Sequence, residues 1–426
     1  MNGPRHLAPR GSARLATMLT LAALVAALAA VGTLLLTATS MSNPTTVTSL
    51  ASDALPRAAS TKPVPVYAYF YQWFTPSSWN RAKQDFPLIG RYSSDDPAVL
   101  MTQVKQAKSA GIDGFLTSWK STEPLNRRLD MLISTAKQQG LDLGVVYEAL
   151  DFNRNPLPVA TVEKDMTYLV DRWGRALTST YYGRPVIIWT GTDQYTRDDV
   201  SQVRAALGTR AYLLAASRTV AGYERVADLV DGEAYYWSSA DPQAPSTMAK
   251  LAAMADAVHA RHGLWFAPAA SGYDGRSLGG TRVIDRADGR TLSASLDNAY
   301  ASQPDAVAVI SWNEWSENTY IEPGETYGDR ELTVLRDYLA ARGRAVPASL
   351  AEADSSEGTT ASGWTGSKAA LTLGALMLLT FAWLAWRASH RRDDGGPADD
   401  AGGPDTGDPD TEQSPDPDSV ESLHVG

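Results

Sequence analysis

Cysteine is absent from all 426 residues. That removes disulfide frameworks, thiolate metal sites, thiol nucleophiles and redox C-x-x-C chemistry together, because each needs the sulfur atom. Histidine is scarce too: His6, His259, His262, His390 and His424 are the whole supply. No G-x-G-x-x-G or P-loop pattern follows the first strand-like segment, which argues against an open nucleotide-binding sheet. Acid and base chemistry in this chain must lean on carboxylates.

Positive charge is in short supply only in one place. The net charge is −10, yet residues 393–426 hold eleven Asp or Glu and no Lys or Arg, and taking those eleven negative charges away leaves +1 for the rest. The acidity belongs to a tail and says nothing about a ligand of the folded part. No basic stripe points to nucleic acid, so none is expected as a partner.

Long apolar runs are few, and both lie near the ends. Leu15–Leu36 carries no charge over 22 residues and, at about 1.5 Å per residue, spans roughly 33 Å as a helix, enough to cross a bilayer. Arg5, Arg10 and Arg14 precede it and the next basic residue is Arg57, which places the N-terminus in the cytoplasm by the positive-inside rule. The run is long for a cleaved signal sequence, the other reading, and an uncleaved anchor is expected. Ala369–Trp386 is a second apolar run, bounded by Trp383, Trp386, Arg387, Arg391 and Arg392, and reads as a crossing with its C-terminal end inside; a buried core helix is the alternative. The expected organisation is a cytoplasmic stretch 1–14, a membrane helix or signal anchor 15–36, a linker 37–62, a globular domain 63–345, a linker 346–368, a membrane helix 369–386 and an acidic, disordered cytoplasmic tail 387–426. The lipid bilayer is thus an expected partner, and the globular domain should lie outside the cytoplasm.

The central segment, about 283 residues, has the size of one (β/α)8 barrel. Short β-rich apolar runs alternate with amphipathic ones. Strands are expected near 64–73, 113–119, 143–149, 185–190, 211–216, 233–237, 264–270 and 306–312. Helices fall at 97–110, 124–139, 160–177, 197–207, 222–230, 246–262, 292–303 and 330–342. Asp96 before Pro97 is a good cap and first-turn pair, and Gly111 and Gly140 end their helices. The fold class is therefore α/β, a TIM barrel flanked by two single membrane helices.

In such a barrel the reactive groups stand at the C-terminal ends of the strands. Those positions carry Tyr71 and Trp73, Trp119, Glu148, Trp189, Tyr236 and Trp237, Tyr273, and then Asn313, Glu314, Trp315 and Glu317. Aromatic faces with carboxylates are the composition of a sugar site, where rings stack on Trp or Tyr and hydroxyls bind acids. Any one of these tryptophans alone would be read as core packing; their shared placement at strand ends is what points to a site. The richest stretch is AVAVISWNEWSENTYIEP, 306–323. Positions i and i+3 of an extended strand face opposite sides, so the chain must turn after Glu314 if Glu317 is to enter the same pocket. Two carboxyls in one pocket repel, so one stays protonated while the other ionises, the division of labour that glycoside cleavage uses. An E-x-x-E pair on an exposed helix is the competing reading.

The segment WNEWSENTYIEP resembles the W/F-N-E-W-x-E-G-T-x-I-E-P signature of glycoside hydrolase family 99. YAYFYQWF at 67–74, GRYSSDDP at 90–97, AGIDGFLTSW at 110–119, VYEALDF at 146–152, VDGEAYYW at 230–237 and SGYDGR at 271–276 are similar to its other blocks, in order. The resemblance implies an endo-α-mannosidase-like, retaining hydrolase that acts through a 1,2-anhydro sugar. It implies Glu317 as general acid/base and Glu314 as the base assisting the sugar 2-hydroxyl. Tyr71, Trp73, Trp119, Glu148, Tyr236, Tyr273, Asn313 and Trp315 are the expected substrate contacts. A polysaccharide or glycan is the expected substrate, and no metal or cofactor is expected. Three positions depart from the pattern: Asn318 replaces Gly, Gln72 replaces Pro, and Ala149 replaces the Pro that follows the Glu of strand three.

Other groupings are weaker. His259-x-x-His262 has metal-like spacing but sits on an expected surface helix without a third ligand. Asp274, Arg276, Asp285 and Arg286 could bind substrate oxygens or hold a long loop by ion pairs. The same barrel could also bind envelope glycan without cleaving it.

Overall fold

The computed structural model describes residues 63–151 and 153–348. Eight parallel strands close into a barrel: β1 (Val66–Phe70), β2 (Gly114–Trp119), β3 (Asp142–Tyr147), β4 (Val186–Trp189), β5 (Tyr212–Ala215), β6 (Gly232–Glu233), β7 (Leu264–Ala270) and β8 (Ala306–Ile310). Each strand pairs with its sequence neighbours, and β8 returns to β1 with Val66 opposite Val307. The helices between and after them are α1 (Pro97–Ser109), α2 (Glu123–Gln139), α3 (Val159–Trp173), α4 (Arg197–Leu207), α5 (Val220–Glu224), α6 (Pro245–His259), α7 (Arg290–Ala301) and α8 (Arg330–Ala341). A short antiparallel hairpin, Tyr273–Asp274 with Val283–Ile284, follows β7.

Strand alternation sorts the side chains into two cores. Val66, Ala68 and Phe70 of β1, Phe115 and Trp119 of β2, and Val307 and Val309 of β8 point out to the helix layer. Tyr67 and Tyr69, Leu116, and Ala306, Ala308 and Ile310 point into the barrel. Both faces of the barrel strands are buried, which is why these strands read as near-continuous apolar runs, and each large side chain removed from water contributes about 1.5–3 kcal/mol. Gly114 is needed where it stands: a Cβ there would lie 2.5 Å from the Tyr67 ring and 2.7 Å from the Asp142 carbonyl.

The element boundaries follow local chemistry. Asp96 caps α1 by accepting from the Ala98 N–H (2.8 Å), and Gly140 ends α2 in the left-handed region at φ 62°, as expected of a C-terminal glycine. The expected helix 160–177 stops at Trp173, and 222–230 shrinks to Val220–Glu224 before a run of turns. The expected strand 233–237 is paired only at Gly232–Glu233. The Ala234 N–H still reaches the Ala215 carbonyl (2.8 Å); beyond it the chain leaves the ladder and carries Tyr235 to Ser238 over the barrel mouth. The apolar runs 15–36 and 369–386 lie outside the described residues. Among the described residues no helix is long and apolar enough to cross a membrane.

Candidate active site

The chain turns at the C-terminal end of β8, and hydrogen bonds within residues 311–321 make the turn. The Ser311 N–H donates to the Thr319 carbonyl (3.0 Å), Thr319 N–H to the Glu314 carbonyl (3.3 Å) and Ile321 N–H to the Ser311 carbonyl (2.9 Å). Ser311 Oγ accepts from the Glu314 N–H (2.7 Å). Asn318 takes φ 56°, a conformation that asparagine tolerates better than other residues with a side chain. This is the position where the family-like motif has glycine, so the departure keeps the backbone shape the turn requires. Glu314 and Glu317 leave this turn on one loop, each about 1% exposed.

Glu317 sits in a desolvated place. Burial pushes its carboxyl up to about 8, while hydrogen bonds from Ser238 and Tyr236 and the charge of Arg154 pull the other way. Tyr236 OH donates to Glu317 Oε2 (3.3 Å), and Tyr71 OH donates to Tyr236 OH (3.1 Å). Burial also raises Tyr71 well above its ordinary value, and the charges of Glu314, Glu317 and Glu148 add to the rise, so three carboxyls converge on one hydroxyl. Glu314 Oε1 accepts from the Ser316 N–H (3.1 Å). Glu148, one residue past β3, accepts from Ser118 Oγ (2.7 Å).

Beside this cluster a cavity of about 640 Å³ opens at the barrel mouth, lined in part by Tyr69, Tyr71, Glu148, Tyr236, Trp237 and Ser238. It falls within the size range of small-ligand sites, about 300–1,000 Å³. Tyr71, Glu148 and Tyr236 are thus brought together on one wall. Glu314 and Glu317 are not part of the wall: Glu317 is reached from it through Tyr236.

The other expected contacts are placed differently. Trp119 is fully buried, points to the helix layer and donates from Nε1 to Asn126 Oδ1 (3.0 Å); β2 alternation turns Ser118 inward and Trp119 outward. Trp189 likewise packs outward, against Tyr195. Trp315 is fully buried, stacks on Tyr320 with ring centroids 3.8 Å apart and donates to Glu322 Oε2 (3.2 Å). Asn313, also fully buried, clamps β8 to the end of β1, accepting from the Tyr71 N–H (2.7 Å) and donating to the Tyr71 carbonyl (2.9 Å). None of these four residues lines the cavity. Trp73 packs on the Tyr71 ring, centroids 4.4 Å apart, and Tyr273 feels the charges of Glu317 and Glu314; neither belongs to the cavity wall.

Arg286 holds the loop: Nη2 donates to the Asn318 carbonyl (2.9 Å) and the Tyr320 carbonyl (2.7 Å), and Nη1 lies 3.5 Å from Glu331 Oε1 with both side chains 3% exposed. Asp274 pairs with Arg276 (2.5 Å). The loop-holding role, one of two open for this cluster, is the one these contacts describe. His259 Nε2 faces Asp305 Oδ2 at 3.5 Å, and no group of acidic or imidazole side chains among the described residues could hold a metal ion. Cavity residues without a sequence signal are Arg154, Asp193, Arg218 and Lys250; the first three follow β3, β4 and β5, in the loops that carry functional groups in a barrel of this kind.

No family model matches the chain. Over 262 residues it is 21% identical to the glycoprotein endo-α-1,2-mannosidase-like protein of Mus musculus, covering 56% of this chain and 57% of that one. The glycoprotein endo-α-1,2-mannosidase of Rattus norvegicus is 22% identical over 261 residues, with 56% of each chain covered. The chain therefore spans a little over half the length of these relatives. Among solved structures, the family 99 endo-α-mannosidase of Bacteroides thetaiotaomicron superposes with a TM-score of 0.57 at 17% identity, over 67% of this chain and 100% of that one. In barrel architecture the described part of this chain is similar to that glycoside hydrolase, and in sequence it is distantly similar to the two mannosidase relatives.

Proposed function

We propose that the chain is a glycoside hydrolase that cleaves α-linked, mannose-like residues within a polysaccharide or glycan. The observation that carries this reading is the Glu317 carboxyl, raised by burial to about 8 and linked through Tyr236 to the cavity wall. A carboxyl that keeps its proton at neutral pH can protonate a leaving glycosidic oxygen. Glu314 supplies the second carboxyl on the same loop.

In the proposed reaction the sugar's 2-hydroxyl gives its proton to Glu314 and its oxygen attacks C1. The C1–O bond to the leaving group breaks as Glu317 donates its proton to that oxygen. Water then opens the 1,2-anhydro sugar: Glu317 takes a water proton, hydroxide bonds to C1, and Glu314 returns its proton to O2. The two displacements leave the anomeric configuration retained. We also propose that segments 15–36 and 369–386 anchor the chain, with both termini cytoplasmic and the barrel outside; Arg5, Arg10, Arg14, Arg387, Arg391 and Arg392 support that orientation.

A second reading, a barrel that binds glycan without cleaving it, is favoured by the covering of both carboxyls, each about 1% exposed and outside the cavity wall. Reducing ends released from α-mannan separate the two. Hydrolysis that falls about a hundredfold to ten-thousandfold in Glu317→Gln and in Glu314→Gln, with folding intact, supports the enzyme. Full activity in either variant removes that residue's role, and column retention of mannan without released ends supports the binding barrel.

A further inference from the structure

The cavity carries a pattern of charge that a neutral sugar does not call for. Arg154, Arg218 and Lys250 line it, together with the carboxylates Glu148 and Asp193. The carboxylates are occupied by protein donors: Glu148 accepts from Ser118 Oγ (2.7 Å), and Asp193 Oδ2 accepts from the Arg218 N–H (2.8 Å). One of the cations is not satisfied in the same way. Nη1 of Arg154 is buried and has no hydrogen-bond partner among the described residues. The Lys250 ammonium donates to Tyr235 OH and lies 4.3 Å from the ring centroids of both Tyr235 and Trp237.

Two further features set these side chains apart from ordinary surface cations. Burial holds Arg154 below its usual pKa and the neighbouring Arg218 guanidinium adds to the fall, while the charges of Glu148 and Glu317 pull the other way. Burial alone lowers Lys250. The backbone of Arg154 is also held in place: it takes φ 64°, uncommon for a long side chain, inside a turn that Asp151 ties by accepting from the N–H groups of Asn153 and Asn155 (2.8 Å each). Like charges facing each other in a half-dry cavity are relieved by an anion, and charge-assisted hydrogen bonds are the strong ones.

We propose that this cavity takes an anionic unit of the glycan, a sugar bearing a carboxylate or a phosphate, with Arg154 and Lys250 holding its charge and Arg218 adding to the field. The inference rests on the glycan reading of the site and narrows it to a charged substrate. A wall that carries Trp237 and Tyr69 for the ring and guanidinium and ammonium groups for the anion suits such a unit.

The test is calorimetric titration of the full-length chain with three probes: methyl α-D-mannopyranoside, D-glucuronic acid and mannose 6-phosphate. At about 20 mM salt at least one anionic sugar should bind about tenfold tighter than the neutral mannoside, and the preference should shrink at about 200 mM salt. Arg154→Met and Lys250→Met should each cut that preference about fivefold or more, with circular dichroism melts showing that the variants fold. If Arg154→Met does not fold, Lys250→Met and the salt dependence of the unaltered chain decide. A better fit of glucuronic acid names the carboxylate as the source of charge, and a better fit of mannose 6-phosphate the phosphate. Binding of the neutral mannoside with no anionic preference, or a preference that survives both substitutions, overturns this inference and leaves the glycan reading standing. Failure of all three sugars to bind overturns both.

Discussion

Glu317 and Glu322 are each about 1% exposed, and their partners differ. Glu322 accepts from Gln103 Nε2 (2.7 Å), Tyr92 OH (2.9 Å) and Trp315 Nε1 (3.2 Å), bonds that favour the ionised form, yet burial still raises it to about 7. Glu317, with fewer donors, is raised to about 8. In the unfolded chain both ionise near the ordinary 4.5. Between that pH and their folded values the native state holds the extra protons, so their contribution is full below about pH 4.5 and is lost as pH rises through about 7 and 8. The urea midpoint should therefore fall from pH 5 to pH 8, and Glu317→Gln and Glu322→Gln should each flatten the slope. An unchanged slope in both variants would show that neither group is raised.

At the scale of elements, the loop after β8 is held from behind by the segment that precedes α7 and by α8. Arg286 donates to the Asn318 and Tyr320 carbonyls and faces Glu331 of α8; its guanidinium also lies 4.4 Å from the Tyr320 ring centroid. Removing the arginine alone leaves Glu331 buried without its counter-charge and strips two carbonyls of a donor. Arg286→Met should cost about 3–5 kcal/mol in urea denaturation, and adding Glu331→Leu should restore a large part of it, because a buried pair is costly mainly when broken on one side. A loss below about 1 kcal/mol for the single variant would mean that the loop does not depend on this contact.

The whole chain joins a barrel segment to a tail, residues 393–426, that carries acidic residues and no Lys or Arg. The 22-residue run Leu15–Leu36 can span about 30 Å of hydrocarbon as a helix, and this predicts a fractionation result. Full-length protein should stay with membranes through an alkaline carbonate wash, and a chain lacking 15–36 and 369–386 should be released. Release of the full-length chain would sink the anchoring proposal without touching the barrel.

The alternation of strand-like and helix-like segments, the carboxylates Glu314 and Glu317, the need for a turn between them and the strand-end positions of Tyr71, Glu148 and Tyr236 were legible in the residues, because periodicity, size and motif are local properties of a chain. Which way Trp119 and Trp315 point was not. Strand register turns Trp119 outward to the helix layer and the fold of one loop stacks Trp315 on Tyr320, while their neighbours Ser118 and Glu314 face the site cluster. The cavity cations were illegible for a stronger reason: Arg154, Arg218 and Lys250 come from two loops and a helix, and only closure of the barrel brings them to one cavity and sets the Arg154 and Arg218 charges against each other.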